Sequence, residues 1–360
     1  MLQQKIRKTF DIGGGRMVTI ETGRLARQAD GAVTVSMGNC MILATVCANT
    51  EPKEGQSFFP LSVDYQEKFA AAGRIPGSFF KREAKLNDYE VLTSRLIDRA
   101  LRPLFPEDYL CEVQVLVTLM SSDPEIMPDA MACLAASAAL AVSDVPIKEI
   151  ISEVRVSRVN GQFVVNPTRS EMEKSDMDFL IAATDKNLMM VEGEAKECSE
   201  ADLCKALEIA HDAIRIQVKA QEELRDMAGA KPKRAYTKPA SDDALKAKVY
   251  AFAQPKVYEV AKAGLSKHER TDRFDAIKVE LVEFLKKEAN LAEGENLPDL
   301  TKKLASVYYH DLQYDVIRDM ILNERVRLDG RDLETVRPLD MEIDVLPSPH
   351  GAALFTRGET

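Results

Sequence analysis

Phe69 to Arg102 reads FAAAGRIPGSFFKREAKLNDYEVLTSRLIDRALR. The first half is a loop rich in Gly, Ala and Pro. It carries Phe79, Phe80, Lys81 and Arg82, two adjacent aromatics followed by two cations. The second half has helical periodicity. Leu92, Leu96, Ile97, Ala100 and Leu101 share one face at 3.6 spacing. Arg95, Arg99 and Arg102, at i, i+4 and i+7, share the opposite face. An apolar face fixes such a helix to a core and leaves the Arg stripe pointing outward. Guanidinium forks beside stacking rings suit a single-stranded nucleic acid, because cations track phosphates while aromatic faces stack on bases. The same residues also fit a solvated helix face partnered by Asp98 and Glu90, with both Phe side chains folded inward. The pattern alone leaves both readings open.

The rest of the chain makes this stretch stand out. At 360 residues, 45% hydrophobic and 29% charged, it has room for two or three globular domains. A net charge of −10 disfavours non-specific DNA binding over the whole surface. Residues 67–102 nevertheless hold eight cations against five carboxylates, so any polyanion site is local. The six cysteines form no C-x-x-C pair and mostly sit in apolar runs, as small core residues do in a reducing compartment. The opening MLQQKIRKTF has no apolar signal region, and no apolar run reaches membrane-spanning length. The expectation is a cytoplasmic protein without a membrane partner.

Strand-like runs occupy 16–21, 32–37, 40–48 and 58–65, with Met37-Gly38-Asn39 as a hairpin turn. Glu112–Met120 reads as a central strand. Pro128-Asp129 opens a helix of small apolar residues to Val142, which should be buried against a sheet. Two hairpins follow, around Asn160-Gly161 and Asp185-Lys186-Asn187. Ser199 to Asp202 then starts a long helix ending near Gly229. The reading is an α/β (α+β) domain over 1–228, with mixed sheets packed on the Ala-rich and Arg helices.

Lys231 to Pro239, KPKRAYTKP, reads as a linker. Residues 240–323 are helical throughout. At Arg325 strand-like texture returns. Gly31–Gly38 and Gly351–Gly358 share the pattern G-A-x-x-x-[S/T]-x-G, which suggests a second copy of the first domain beginning at 324–360. The expectation is that the sequence is a piece of a longer protein.

Three phrases carry a family: FFPLSVDYQEKFAAAGRIPGSFFKRE, RLIDRALRPLFP and LDGRDLETVRP…HGAALFTRGET. They closely resemble bacterial polynucleotide phosphorylases, and the likeness spans the whole chain. It implies a first RNase PH-like domain (ribosomal protein S5 domain 2-like), an all-helical domain and the truncated start of a second RNase PH-like domain. It further implies a phosphate-dependent 3′→5′ exoribonuclease of mRNA turnover that releases nucleoside diphosphates. The family works as a trimeric ring with single-stranded RNA in a central pore, with Mg²⁺ and inorganic phosphate as co-substrate. A family loop F-F-R-R lining that pore corresponds to Phe79-Phe80-Lys81-Arg82 here. Lys81 keeps the charge of the family arginine and loses its bidentate fork. A further loop arginine is replaced by Lys85. The RNA-binding set expected from the resemblance and the pattern is Phe79, Phe80, Lys81, Arg82, Lys85, Arg95, Arg99 and Arg102.

The resemblance places the catalytic acids, lysine and phosphate-binding serines beyond Thr360, where KH and OB-type RNA-binding domains would follow. No catalytic residue and no metal ligand is expected in this chain, and degradosome partners are possible. Pro124 to Asp129 fits that expectation. A phosphate site at a helix start needs free N–H groups, whereas this turn offers prolines and carboxylates. Gly13-Gly14-Gly15 lacks G-x-G-x-x-G spacing, and no strand is read before it. His211, His268, His310 and His350 are scattered without metal spacing. A different class remains in view: a non-catalytic RNase PH-like RNA-binding or scaffold subunit.

Overall fold

The computed structural model describes residues 5–53, 56–77, 83, 85–292 and 295–360. The chain divides into two compact units, Met1–Pro239 and Ala240–Thr360.

The first unit opens with five strands: β1 (Ile6–Asp11), β2 (Met17–Thr22), β3 (Gly31–Met37), β4 (Cys40–Ala48) and β5 (Leu61–Glu67). Helix α1 (Asp88–Leu101), strand β6 (Val113–Ser121) and helix α2 (Asp129–Val142) follow. Then come β7 (Ser152–Val159), β8 (Gln162–Val165), a single turn α3 (Arg169–Met172), β9 (Ser175–Ala183), β10 (Leu188–Ala195) and the long α4 (Glu200–Met227). The strands form two sheets. One runs β1-β2-β3-β4-β6-β5, antiparallel except for the parallel β5–β6 pair. The other runs β10-β9-β7-β8 and is antiparallel throughout.

Helix α2 is buried almost all round, and it packs on β3, β4 and β6 of the first sheet and on β7 of the second. Its alanines give the reason, since a helix clothed in methyl groups lets a sheet approach on either side. Gly31 marks the closest approach. A Cβ built there would lie 2.1 Å from the Ala139 carbonyl oxygen.

Three features depart from the sequence reading. A strand does precede the three glycines: β1 pairs with β2, and Gly13–Gly15 form the turn between them, all at positive φ. Leu92 does not join the buried face of α1 but is 52% exposed. Glu90, Thr93 and Ser94 take buried positions instead, because Glu90 and Ser94 bond to β5. The Lys231–Pro239 segment is not a loose linker. Arg234 bridges Asp30 at 2.8 Å and Asp144, and donates to the Ala48 carbonyl at 3.0 Å. Lys233 donates to the Leu140 and Ser143 carbonyls at the C-terminal end of α2, where the helix dipole favours a cation. Tyr236 packs edge-on against Tyr109 and donates its hydroxyl to Asp108. The segment is therefore a strap bound to the first unit.

The second unit holds α5 (Asp243–Lys262), α6 (Lys267–Glu288) and α7 (Asp299–Glu324), packed on a core that includes Val249, Leu281, Tyr309 and Leu312. A hairpin of β11 (Leu339–Ile343) and β12 (Ala353–Arg357) follows. The sequence match between Gly31–Gly38 and Gly351–Gly358 has a structural echo. In each, a strand ends in a glycine at positive φ, Gly38 at 54° and Gly358 at 61°.

Candidate nucleic-acid interface

Helix α1 is fixed by polar staples at its first turn. The Asn87 side chain accepts from the Glu90 N–H at 2.8 Å, and the Glu90 carboxylate accepts from the Asn87 N–H at 2.7 Å. This reciprocal cap satisfies donors that a helix start leaves unpaired. The other Glu90 oxygen accepts from the Glu67 N–H at 2.7 Å, at the end of β5. One turn on, the Ser94 hydroxyl accepts from the Tyr65 N–H and donates to the Glu90 carbonyl, both at 2.8 Å. Ile97, Ala100 and Leu101 complete the attachment in the core. The outward face is thereby set rigidly.

The three arginines of that face differ in what they bind. Arg95 is exposed and makes no ion pair among the described residues. Arg99 pairs with Glu192 of β10. Arg102 has four bonds: both oxygens of Asp98, the Phe59 carbonyl at 3.1 Å and the Leu61 carbonyl at 3.2 Å. Its hydrogen bonds to Asp98 raise its pKa despite partial burial. Glu90, weighed as a partner for the stripe, faces the core and pairs with none of these arginines. Arg102 is thus held as a structural clasp between α1 and the chain entering β5.

The loop before α1 is described in part. Phe79, Phe80, Lys81 and Arg82 lie outside the described residues. Lys85 is exposed at the loop's far end. At its near end a 3-10 turn at Phe69–Ala72 ends on Gly73 at φ 67°, and the Glu83 carboxylate accepts from the Phe69 N–H at 2.9 Å. Arg74 and Ile75 are exposed beyond that turn, Ile75 by 82%. Arg74 is a cation that the sequence reading counted in the local charge and did not place in the candidate site.

The Pro124–Asp129 turn lines a cleft of about 450 Å³, and its carboxylates are engaged by their own chain. Asp123 accepts from the Asn39 N–H at 3.2 Å, and Glu125 accepts from the Ser170 hydroxyl at 2.9 Å. Asp129 is buried and bonded to Arg155 of β7, which also pairs with Asp178 of β9. Burial works against the Arg155 charge, but Asp129 and Asp178 outweigh it and raise the pKa. A guanidinium thus stands at the start of α2, in the wall of that cleft. Sequence reasoning missed Arg155, whose signal was a cation at an inward position of a strand with apolar neighbours. Mg²⁺, implied by the resemblance, does not fit here, because each carboxylate of the turn already has an internal donor. Among the described residues no three His, Cys, Asp or Glu side chains converge as a metal cage. Nor is any described helix long and apolar enough to cross a membrane.

The comparisons with known proteins agree along the whole chain. The model of the 3′ exoribonuclease family, domain 1, matches residues 14–146, and that of its domain 2 matches 149–213. Both lie inside the first compact unit. The polyribonucleotide nucleotidyltransferase RNA-binding domain matches 244–332. Proteins named polyribonucleotide nucleotidyltransferase are 52% identical in Parabacteroides distasonis, over 99% of this chain and 47% of the relative. The corresponding figures are 51%, 98% and 49% in Bacteroides fragilis, and 50%, 99% and 47% in Porphyromonas gingivalis. The chain spans about half the length of the curated relatives it matches. With three family models in order along it and half of its residues shared with these proteins, the chain belongs to the polyribonucleotide nucleotidyltransferase family.

Proposed function

We propose that the whole protein is a phosphate-dependent 3′→5′ exoribonuclease, a nucleotidyltransferase that degrades single-stranded RNA to nucleoside diphosphates in mRNA turnover. In this reading the present chain holds RNA, and the chemistry is done by residues outside it. The observation that carries the assignment is the rigidly mounted outward face of α1, with Arg95 exposed beside the loop that bears Lys85. A strand laid along this face meets Arg95 and Lys85 as phosphate contacts, with Phe79 and Phe80 as stacking rings and Lys81 and Arg82 as further cations. Arg99 would join them by exchanging Glu192 for phosphate. Arg102 clasps the end of that face to the chain entering β5.

The guanidinium at the start of α2 supports a non-catalytic role for the first unit. Mg²⁺ and inorganic phosphate belong to the reaction elsewhere in the whole protein. A homotrimer, a second RNase PH-like domain opening at 324–360, a cytoplasmic location and degradosome partners are parts of the same proposal, drawn from family membership. The test is oligo(A) affinity of the 360-residue chain across a salt series. Saturable binding with a negative log–log salt slope is expected. No binding at 50 mM salt would return the Arg face to ordinary ion pairing and favour a scaffold role.

A further inference from the structure

Helix α4 and Lys233 of the strap wall a cleft of about 690 Å³, whose lining includes none of the residues proposed to hold RNA. The segment after α2 and the β9–β10 turn complete it. Its lining carries six cations against the carboxylates of Glu149, Asp185 and Glu222, a positive surplus in a chain of net charge −10.

Two of those cations are engaged. Arg215 donates to the Asp185 carbonyl at 3.1 Å and to Asp212 at 3.0 Å, and Arg225 donates to Asp226 at 3.0 Å. The amines of Lys148, Lys186 and Lys219 make no hydrogen bond or ion pair among the described residues. Lys233 donates two of its three N–H groups, to the Leu140 carbonyl at 3.1 Å and the Ser143 carbonyl at 2.9 Å, and keeps one. Burial, and then the nearby Arg225 charge, lower its pKa to about 8. The cleft thus holds more positive charge than its own carboxylates balance. Beside that charge, Ala141, Ile147, Ile150 and Val218 form an aliphatic floor.

We propose that this cleft binds a phosphorylated nucleoside, with its phosphates on Lys148, Lys219 and Lys233 and its base or sugar on the aliphatic floor. The volume lies within the range of small-ligand sites, which combine an apolar lining with a few placed polar groups. An inorganic anion would leave the floor wet. A neutral apolar ligand would leave the ammonium groups unbalanced. A nucleotide satisfies both surfaces at once.

The test is calorimetric titration of the 360-residue chain at pH 7, without RNA or divalent metal, using ADP and, separately, inorganic pyrophosphate. ADP should bind saturably and at least tenfold more tightly than pyrophosphate. The double charge reversal K148E/K219E should weaken ADP at least tenfold. K205E, exposed on the same helix and outside the cleft, should leave it unchanged. Thermal unfolding of each variant reports whether the fold is intact, and Lys148 and Lys219 are both exposed. Three results would overturn the proposal: no saturable ADP binding, equal affinity for pyrophosphate, or unchanged affinity in the double variant. RNA does not enter the measurement, so its failure would leave the RNA-holding reading standing.

Discussion

Arg102 closes on Asp98 one helical turn earlier, Nε on Oδ1 at 2.8 Å and Nη2 on Oδ2 at 2.6 Å. Arg95, on the same face, has no ion-pair partner among the described residues. Identical side chains at regular spacing therefore have different work. Arg95→Ala should reduce the log–log salt slope of oligo(A) binding by nearly one unit, as loss of one phosphate contact does. Arg102→Ala should leave the slope unchanged and lower stability by about 1 kcal/mol, since a largely exposed pair contributes little and the two carbonyl bonds add to it. The readouts are a salt series and thermal unfolding.

Phe79 and Phe80 carry the stacking part of the RNA proposal. Replacing both by Ala should weaken single-strand binding by about 1–3 kcal/mol per stacked base, with the salt slope unchanged. Fluorescence anisotropy with labelled oligo(A) measures both. An unchanged affinity would remove the rings from the site.

Glu153 makes stability depend on pH. It is buried on β7, and neither carboxyl oxygen has a hydrogen-bond partner. Burial, and then the Asp129 charge, raise its pKa from 4.5 to about 8. The folded chain keeps a proton that the unfolded chain releases between those values. The contribution is fully present below pH 4.5 and is lost as pH rises through about 8. Glu153→Gln should match the parent's Tm at about pH 4 and exceed it by a margin that widens from pH 4.5 to about 8.

Gly31 and Gly351 occupy matching places in the repeated pattern but have different neighbours. Gly31→Ala drives a methyl into the Ala139 carbonyl and should cost about 3 kcal/mol, the upper end for overpacking. Gly351→Ala meets nothing within 4 Å and should change Tm little. Equal effects in thermal unfolding would contradict the close β3–α2 approach.

The 360-residue chain alone, given oligo(A), phosphate and Mg²⁺, should release no ADP above background. The whole protein should release it, and should stop when phosphate is withdrawn. Robust release by the chain would place a working site in it and would refute the reading of the Pro124–Asp129 turn.

Local patterns made much of this fold readable. The alanines of 129–142 announced a helix buried on all sides, and the apolar and Arg periodicities announced α1. The strap was misread because its cations resemble those of any solvated linker. Only the tertiary position of Asp30, Asp144 and the α2 carbonyls turns them into anchors. Strand β1 was missed because Ile6–Asp11 mixes two cations and an acid into six residues, and only Phe10 is fully buried. In the candidate site, spacing revealed the Arg stripe. It did not reveal which arginine is engaged, because Glu192 lies 93 residues from Arg99 and reaches it only through the fold.

Arg155, Asp129 and Asp178 also constrain how the chain can diverge. Loss of the arginine alone would strand two carboxylates around a buried hole, and loss of Asp129 alone would remove one of the cation's two counter-charges. Breaking such a partnership typically costs about 3–5 kcal/mol, a large part of a domain's stability. Single substitutions in this trio are therefore expected to be purged, while concerted replacement by apolar residues of similar volume is tolerated. In lineages of this family the three positions should be inherited as one character.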